Sequence, residues 1–190
     1  MYAIDIDGAI CGIVPRAIGG PYAVLVAEQL IASGAKVIFG LTSAGRISPH
    51  LSIPSLVIAT AAIRDEGTSY HYIPPARTVD APATLILQLE SQLKQLALPF
   101  QSGLVWTTDA PYRETQEQIE AHAAEGVLAV EMQAASLFAL AQVRNAQIGV
   151  IAHVSNAIDH TGEPFDEGTD LECIEILRAI FRAGIASLAR

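Results

Sequence analysis

Cysteine is nearly absent, with only Cys11 and Cys173 in 190 residues. Two distant thiols, neither in a CxxC pair nor beside a His cluster, argue against a disulfide framework and a structural zinc site, and point to a reducing cytoplasm. Basic residues are scarce as well. Lys and Arg total 11 against 20 Asp and Glu, a net charge of −9, so no basic stripe is available for a nucleic-acid backbone or an anionic membrane. No apolar run reaches the roughly 18 residues that a membrane span needs. The start, "MYAIDIDGAICGIVPR", lacks the basic and then apolar order of a signal peptide. The expectation is a soluble, unprocessed, cytoplasmic protein with no nucleic-acid or membrane partner.

What the chain has is apolar sequence: 51% of its residues, enough for one sizeable core in a single domain spanning 1–190. "YAIDID" and "ICGIVPRAI" predict a strand hairpin. "GGPYAVLVAEQLIASG" has helical spacing with Gly34 as its stop. "AKVIFGL", "SLVIATAAIR", "SGLVWTTD" and "QIGVIAHVSNAI" predict strands, while "ATLILQLESQLKQLA", "RETQEQIEAHAAEG" and "LECIEILRAIFRAGIASLA" predict helices. This alternation predicts an α/β protein, a three-layer α/β/α sandwich on a mixed, mainly parallel central sheet. In such sheets the ligand site lies beyond the carboxyl ends of the strands. Three polar stretches there are candidates: "GLTSAGR", "WTTDAPYRET" and "HVSNAID".

Each candidate has a structural alternative. Thr42, Ser43, Ala44 and Gly45 read as a turn after a strand, either an anion-binding turn with a Ser43 hydroxyl or a ligand-free connection. "AAIRDEGTSYHYIPP" carries Arg64, Glu66 and two tyrosines, and suits either a polar site or a structural hairpin. In "VWTTDAPYRET", Pro111 and Tyr112 offer a face for stacking a heterocycle, Arg113 and Glu114 suit an ion pair that orders the next helix, and Asp109 or Thr108 suits a helix cap. Asn156 both donates and accepts, which fits the edge of a base or an ordinary turn; Asp159 and His160 follow it. His50, His122 and His153 are dispersed and read as ordinary histidines. The most demanding residue is Glu131, inside "GVLAVEMQAASLFALA". An isolated buried carboxylate costs several kcal/mol, so it needs a partner: a pair of sugar hydroxyls, or the first turn of a helix.

Taken in order, "GGPYAVLVAEQLIASGAK", "TSAGRISP", "AIRDEGTSYHYIPP", "WTTDAPYRET", "GVLAVEMQAASLFA" and "HVSNAID" resemble the nucleoside phosphorylases of the purine nucleoside phosphorylase and uridine phosphorylase superfamily, from about Gly19 to about Gly168. The resemblance implies a sandwich with a partly barrel-like sheet, assembled as homo-oligomers (dimers, trimers or hexamers). It implies a pentosyltransferase that cleaves the N-glycosidic bond of a nucleoside, a purine nucleoside by preference, with phosphate as co-substrate and no metal or other cofactor. It places Ser43, Gly45 and Arg46 at the phosphate, Glu131, Met132 and Gln133 at the ribose, and Pro111, Tyr112 and Asn156 at the base, with Asn156 as the catalytic position. Arg64 and Glu66 fall in a loop with a structural or subunit-bridging role.

The chain departs from the family pattern at four places. Gly40 stands where an Arg precedes the phosphate turn, and Thr42 where that turn has Gly. Gln133 replaces the second Glu of the ribose motif, and Asn156 replaces an acidic residue that assists the leaving base. The sequence also begins after the family's first strand and its Gly-Asp-Pro phosphate loop. Either the phosphate site is incomplete, or another chain completes it, or the nucleophile is not phosphate. The alternatives to phosphorolysis are therefore a nucleosidase that uses water and a non-catalytic nucleoside-binding or assembly protein.

Overall fold

The computed structural model describes residues 1–158 and 165–188, so Asp159 and His160 lie outside the described residues. Strands β1 (Tyr2–Ile6) and β2 (Ala9–Ile13) pair antiparallel. Their turn is Asp7 and Gly8, at φ 52° and 85°, the mirror-image two-residue turn that Asp-Gly favours because its twist matches the strands. Helix α1 (Gly20–Ala32) starts with Pro in its first turn and ends ahead of Gly34, at φ 96°, a left-handed stop that glycine adopts without strain.

The chain then runs through β3 (Val37–Arg46), β4 (Ser55–Asp65), β5 (Thr78–Asp80), α2 (Ala83–Gln95), β6 (Gln101–Thr108), α3 (Gln116–Ala124), β7 (Ala129–Glu131), α4 (Ala134–Arg144), β8 (Gln147–Ala157) and α5 (Asp170–Leu188). The sheet order is β5-β4-β6-β7-β3-β8. It is mixed, and its two longest ladders, β3 with β8 and β4 with β6, are parallel. β4 also pairs antiparallel with β8, from Ser55 opposite Val154 to Ile58 opposite Ile151. That pairing joins β4, β6, β7, β3 and β8 into a ring, with β5 attached outside β4.

Alternation along β4 shows how both faces are buried. Leu56 and Ile58 pack with Leu89 and Leu93 of α2 and Ile176 and Ile180 of α5. Val57 and Ala59 pack with Val24 of α1 and Leu137 and Phe138 of α4. Helices therefore cover both faces of the sheet, the α/β architecture expected from the sequence. A third cluster of Ile63, Trp106, Ile119, Val127 and Val130 sits beneath α3.

The structure differs from the sequence expectations in three respects. "TSAGR" is not a turn: β3 continues through Arg46, because β8 pairs with it to Ala157 and β7 pairs with Gly45 and Arg46. The irregularity that small residues signalled is a register shift between Ala44 and Gly45. The three-residue strands β5 and β7 had no legible pattern, since so few residues show no alternation. Helix α4 was legible only as one of the two readings of Glu131, because Ala134–Ala141 are all buried, and a helix apolar on every side shows no amphipathic period.

Helix α3 is ordered by a capping box: the Thr115 hydroxyl accepts from the Gln118 backbone N–H, and the Gln118 side chain accepts from the Thr115 N–H. Thr108 and Asp109 serve elsewhere, their side chains accepting from the N–H groups of Ala110 and Gly67. Thr115→Ala is expected to lower stability by about 1 kcal/mol in urea unfolding. A loss within error would show that tertiary packing alone holds α3.

Candidate functional site

Glu131 ends β7, with two residues between it and α4, and is 3% exposed. The Thr107 hydroxyl on the neighbouring strand donates to its Oε1 at 2.6 Å. The Gln133 N–H donates to its Oε2 at 2.7 Å, and the Ala134 N–H reaches both oxygens at 3.0 Å. Thr107 is itself fixed by the Ala135 N–H at 3.0 Å. The carboxyl therefore satisfies the first N–H groups of α4, where the helix dipole favours an acceptor. Burial still pushes its pKa up to about 7, against the lowering effect of these donors, and the nearby Glu66 charge adds to the rise. Of the two sequence readings of Glu131, the helix N-terminus is the one these donors describe; the residue also lines a cleft.

That cleft, about 280 Å³, is lined by Ser43 and Gly45 of β3, Pro111, Tyr112 and Glu114 after β6, Glu131 with Met132, and Asn156 of β8. The ends of four strands, β3, β6, β7 and β8, thus converge, as the switch-point rule requires. Asn156 lies opposite Gly45 in the β3–β8 register. A Cβ on Gly45 would sit 2.4 Å from Ile158 Cγ2 and 3.6 Å from Asn156 Nδ2, so only glycine leaves room for the chain after β8 to approach. The Ser43 and Ser155 hydroxyls are 3.1 Å apart. Tyr112 is 98% exposed at the cleft mouth, with its ring in solvent.

Two residues of the sequence-derived set are not among the cleft lining. Arg46 is buried in β3, and its Nη1 lies 3.5 Å from the Leu51 carbonyl. Gln133 is buried as well, and its Nε2 donates to the Ala17 carbonyl at 2.5 Å. Its Oε1 comes within 3.8 Å of a Cβ built on Gly40. Two departures from the family pattern, at positions 40 and 133, are therefore neighbours in space.

The ion pair expected between Arg113 and Glu114 does not form: among the described residues the Glu114 carboxyl makes no hydrogen bond or ion pair, and the capping box at Thr115 orders α3 instead. Half-buried in the cleft wall, Glu114 has its pKa pushed up to about 7 by burial.

Beside the cleft lies a buried network built from the "AAIRDEGTSYHYIPP" stretch, with Ser136 of α4 as the member the sequence did not connect to it. Glu66 accepts from the Ser136 hydroxyl at 2.5 Å and from the Ser69 N–H at 2.9 Å. Arg64 donates to Ser69 Oγ and to the Pro74 carbonyl, both at 2.8 Å, and stacks 4.2 Å from the Tyr70 ring centre. The loop between β4 and β5 is thereby tied down internally, and β5 returns along β4 as a hairpin. His122 packs on Trp106, ring centres 4.5 Å apart, and burial holds its pKa below the usual value.

Fold and cleft together define an α/β protein that gathers a carboxylate, an amide and a hydroxyl in one cleft at the ends of its strands. The chain belongs to the phosphorylase superfamily, whose family model matches residues 5–186. It is 29% identical over 152 residues to the guanosine phosphorylase of Halorubrum lacusprofundi, covering 78% of this chain and 61% of that protein. It is 27% identical over 188 residues to the uridine phosphorylase of Thermococcus kodakarensis, covering 90% and 68%. It is 31% identical over 167 residues to the uridine phosphorylase of Treponema pallidum, covering 78% and 63%. The chain thus spans roughly two thirds or less of the length of these relatives. Among the described residues no helix is long and apolar enough to cross a membrane.

Proposed function

We propose that the protein is a nucleoside phosphorylase-like pentosyltransferase that cleaves the N-glycosidic bond of a nucleoside with phosphate, purine nucleosides being favoured. The observation that carries this reading is the convergence of Ser43, Glu131, Met132 and Asn156 on one cleft with Pro111 and Tyr112 at its edge. In this arrangement Glu131 receives the ribose hydroxyls, its orientation fixed by Thr107 and the α4 N–H groups. Met132 packs on the sugar, and the Asn156 amide hydrogen-bonds the base. The Ser43 hydroxyl with the adjacent Gly45 backbone meets the phosphate. The proposed action is electrostatic: the buried carboxylate stabilises the positive charge that grows on the sugar as the bond breaks.

A second reading is favoured by the charge of the cleft. None of its described lining residues is Lys or Arg, and two of them, Glu114 and Glu131, are acids. A neutral nucleophile suits such a wall better than a phosphate dianion, which makes a nucleosidase the alternative. Homo-oligomerisation is proposed as well, with the exposed Tyr22 and Leu25 of α1 offering apolar surface.

The test incubates the purified chain with guanosine, inosine, adenosine and uridine, with and without phosphate, and follows free base by chromatography. Phosphate-dependent release of purine bases is the expected result. Release without phosphate supports the second reading, and no release from any nucleoside overturns both.

A further inference from the structure

The resemblance gives no role to Glu114. It sits at the end of a single 3-10 turn, Pro111–Arg113, and before the Thr115 cap, held between two fixed pieces of backbone. Its carboxyl lies in the same cleft wall as Pro111 and Tyr112, with Asn156 also lining that cleft. It has no hydrogen-bond partner or counter-ion among the described residues, although it is half-buried. A carboxyl without a partner in a partly dry wall is disfavoured as a charge and is well suited to hold a proton. Glu131 is differently placed, since its oxygens are engaged by Thr107 and backbone donors.

We infer that Glu114 is the general acid that protonates the leaving base, supplying the proton that Asn156 cannot give. This assignment rests on the cleavage reading above. As the C1′–N bond breaks, its electron pair passes to the base and the Glu114 proton goes to a base ring nitrogen, leaving a Glu114 carboxylate. The oxygen of the nucleophile bonds to C1′. The proton that phosphate or water then loses returns the carboxylate to its acid form through solvent, so the cycle balances. Asn156 orients the base but keeps its own protons. The rise of the Glu114 pKa to about 7 by burial is consistent with this role, since an acid works best with a pKa near the working pH.

The other titratable groups along the cleft are Tyr112 on the same loop and Glu131 on β7; the lining residues from β3 and β8, Ser43, Ala44, Gly45 and Asn156, carry none. Arg113 and Glu117, its neighbours in sequence, are solvent-exposed.

The experiment compares wild type with Glu114→Gln on two substrates: the best nucleoside from the panel, and 4-nitrophenyl β-D-ribofuranoside, whose leaving group departs without a proton. Circular dichroism checks the fold of the variant. For the nucleoside, wild-type kcat/KM is expected to pass through a maximum near pH 7, rising as Glu131 ionises and falling as Glu114 loses its proton. Glu114→Gln is expected to lose roughly a hundredfold in kcat with little change in KM, and to lose that alkaline decline. Cleavage of the nitrophenyl riboside is expected to stay within about threefold of wild type. Equal losses on both substrates, or no loss on either, overturn the assignment of Glu114 while leaving the cleavage reading intact. A wild type that cleaves no nucleoside overturns the cleavage reading itself, and the assignment with it.

Discussion

Glu131→Ala is expected to reduce nucleoside cleavage by about a thousandfold and to destabilise the fold. The loss of activity follows from removing the one carboxylate fixed near the sugar, a preorganised charge of the kind whose deletion costs about two to three powers of ten. The loss of stability follows from the donors left behind. Thr107 Oγ1 and the Gln133 and Ala134 N–H groups lose their acceptor, and unmet buried donors cost about 1–3 kcal/mol. The two effects separate by pH. The Glu131 pKa rises from 4.5 in an ordinary environment to about 7 on burial, so between these values the folded chain holds a proton that the unfolded chain has released. Its contribution to wild-type stability is therefore fully present below about pH 4.5 and is lost as pH rises through about 7, on the order of 3 kcal/mol. His122 and His153, whose values burial lowers, act in the opposite direction in both proteins. The difference between wild type and variant thus isolates Glu131. In urea unfolding the variant's deficit should be largest near pH 5 and smaller near pH 8; a deficit that grows with pH would mean that Glu131 is ionised throughout.

The second large effect is expected at Trp106. Its indole is 1% exposed, its Nε1–H donates to Asp65 Oδ2 at 3.0 Å, and its ring carries His122. Trp106→Ala empties the core beneath α3 and leaves Asp65 without its donor, which predicts a loss of about 3–5 kcal/mol. The damage should reach the cleft. Trp106 pairs with Val130, and the next pair in the ladder is Thr107 with Glu131, so the strand that loses its ring also presents the Glu131 donor. Unfolding measurements are expected to show the full loss, with the kcat of the surviving folded fraction lowered too. A loss under about 1 kcal/mol would show that the site collapses to fill the cavity.

Most elements were legible because their apolar residues repeat with a strand or helix period. Gly34 was legible for a stricter reason, since positive φ restricts the choice of residue. β7 was hidden, and α4 left as one of two readings of Glu131, by the same physics that makes them useful: both are almost wholly buried, so neither shows a polar face. At the site, sequence order marked the right strand ends but not the directions of side chains. Gln133 follows Glu131 by two residues yet bonds Ala17. Arg46 follows Ser43 closely, yet the continuation of β3 takes it into the interior. Glu114 looked like half of a surface ion pair. Its placement in the cleft wall depends on the turn at Pro111–Arg113 and the approach of β8, which join residues far apart in the chain.

The pairing of β4 with β8 also bears on how the molecule comes to exist. On a ribosome β4 emerges long before β8, so this part of the early sheet's edge has no neighbour until about ninety further residues have been made. Its apolar strand, "SLVIATAAIRD", is meanwhile a template for any other strand nearby. Helix α2 reaches it before β8 does, and Leu89 and Leu93 can shield the Leu56 and Ile58 face but not the unpaired backbone edge. Closing the ring therefore waits on pairings between segments about a hundred residues apart, β3 with β8 as well as β4 with β8, which are slow to form and leave the strand edge open to other copies of the chain in the meantime.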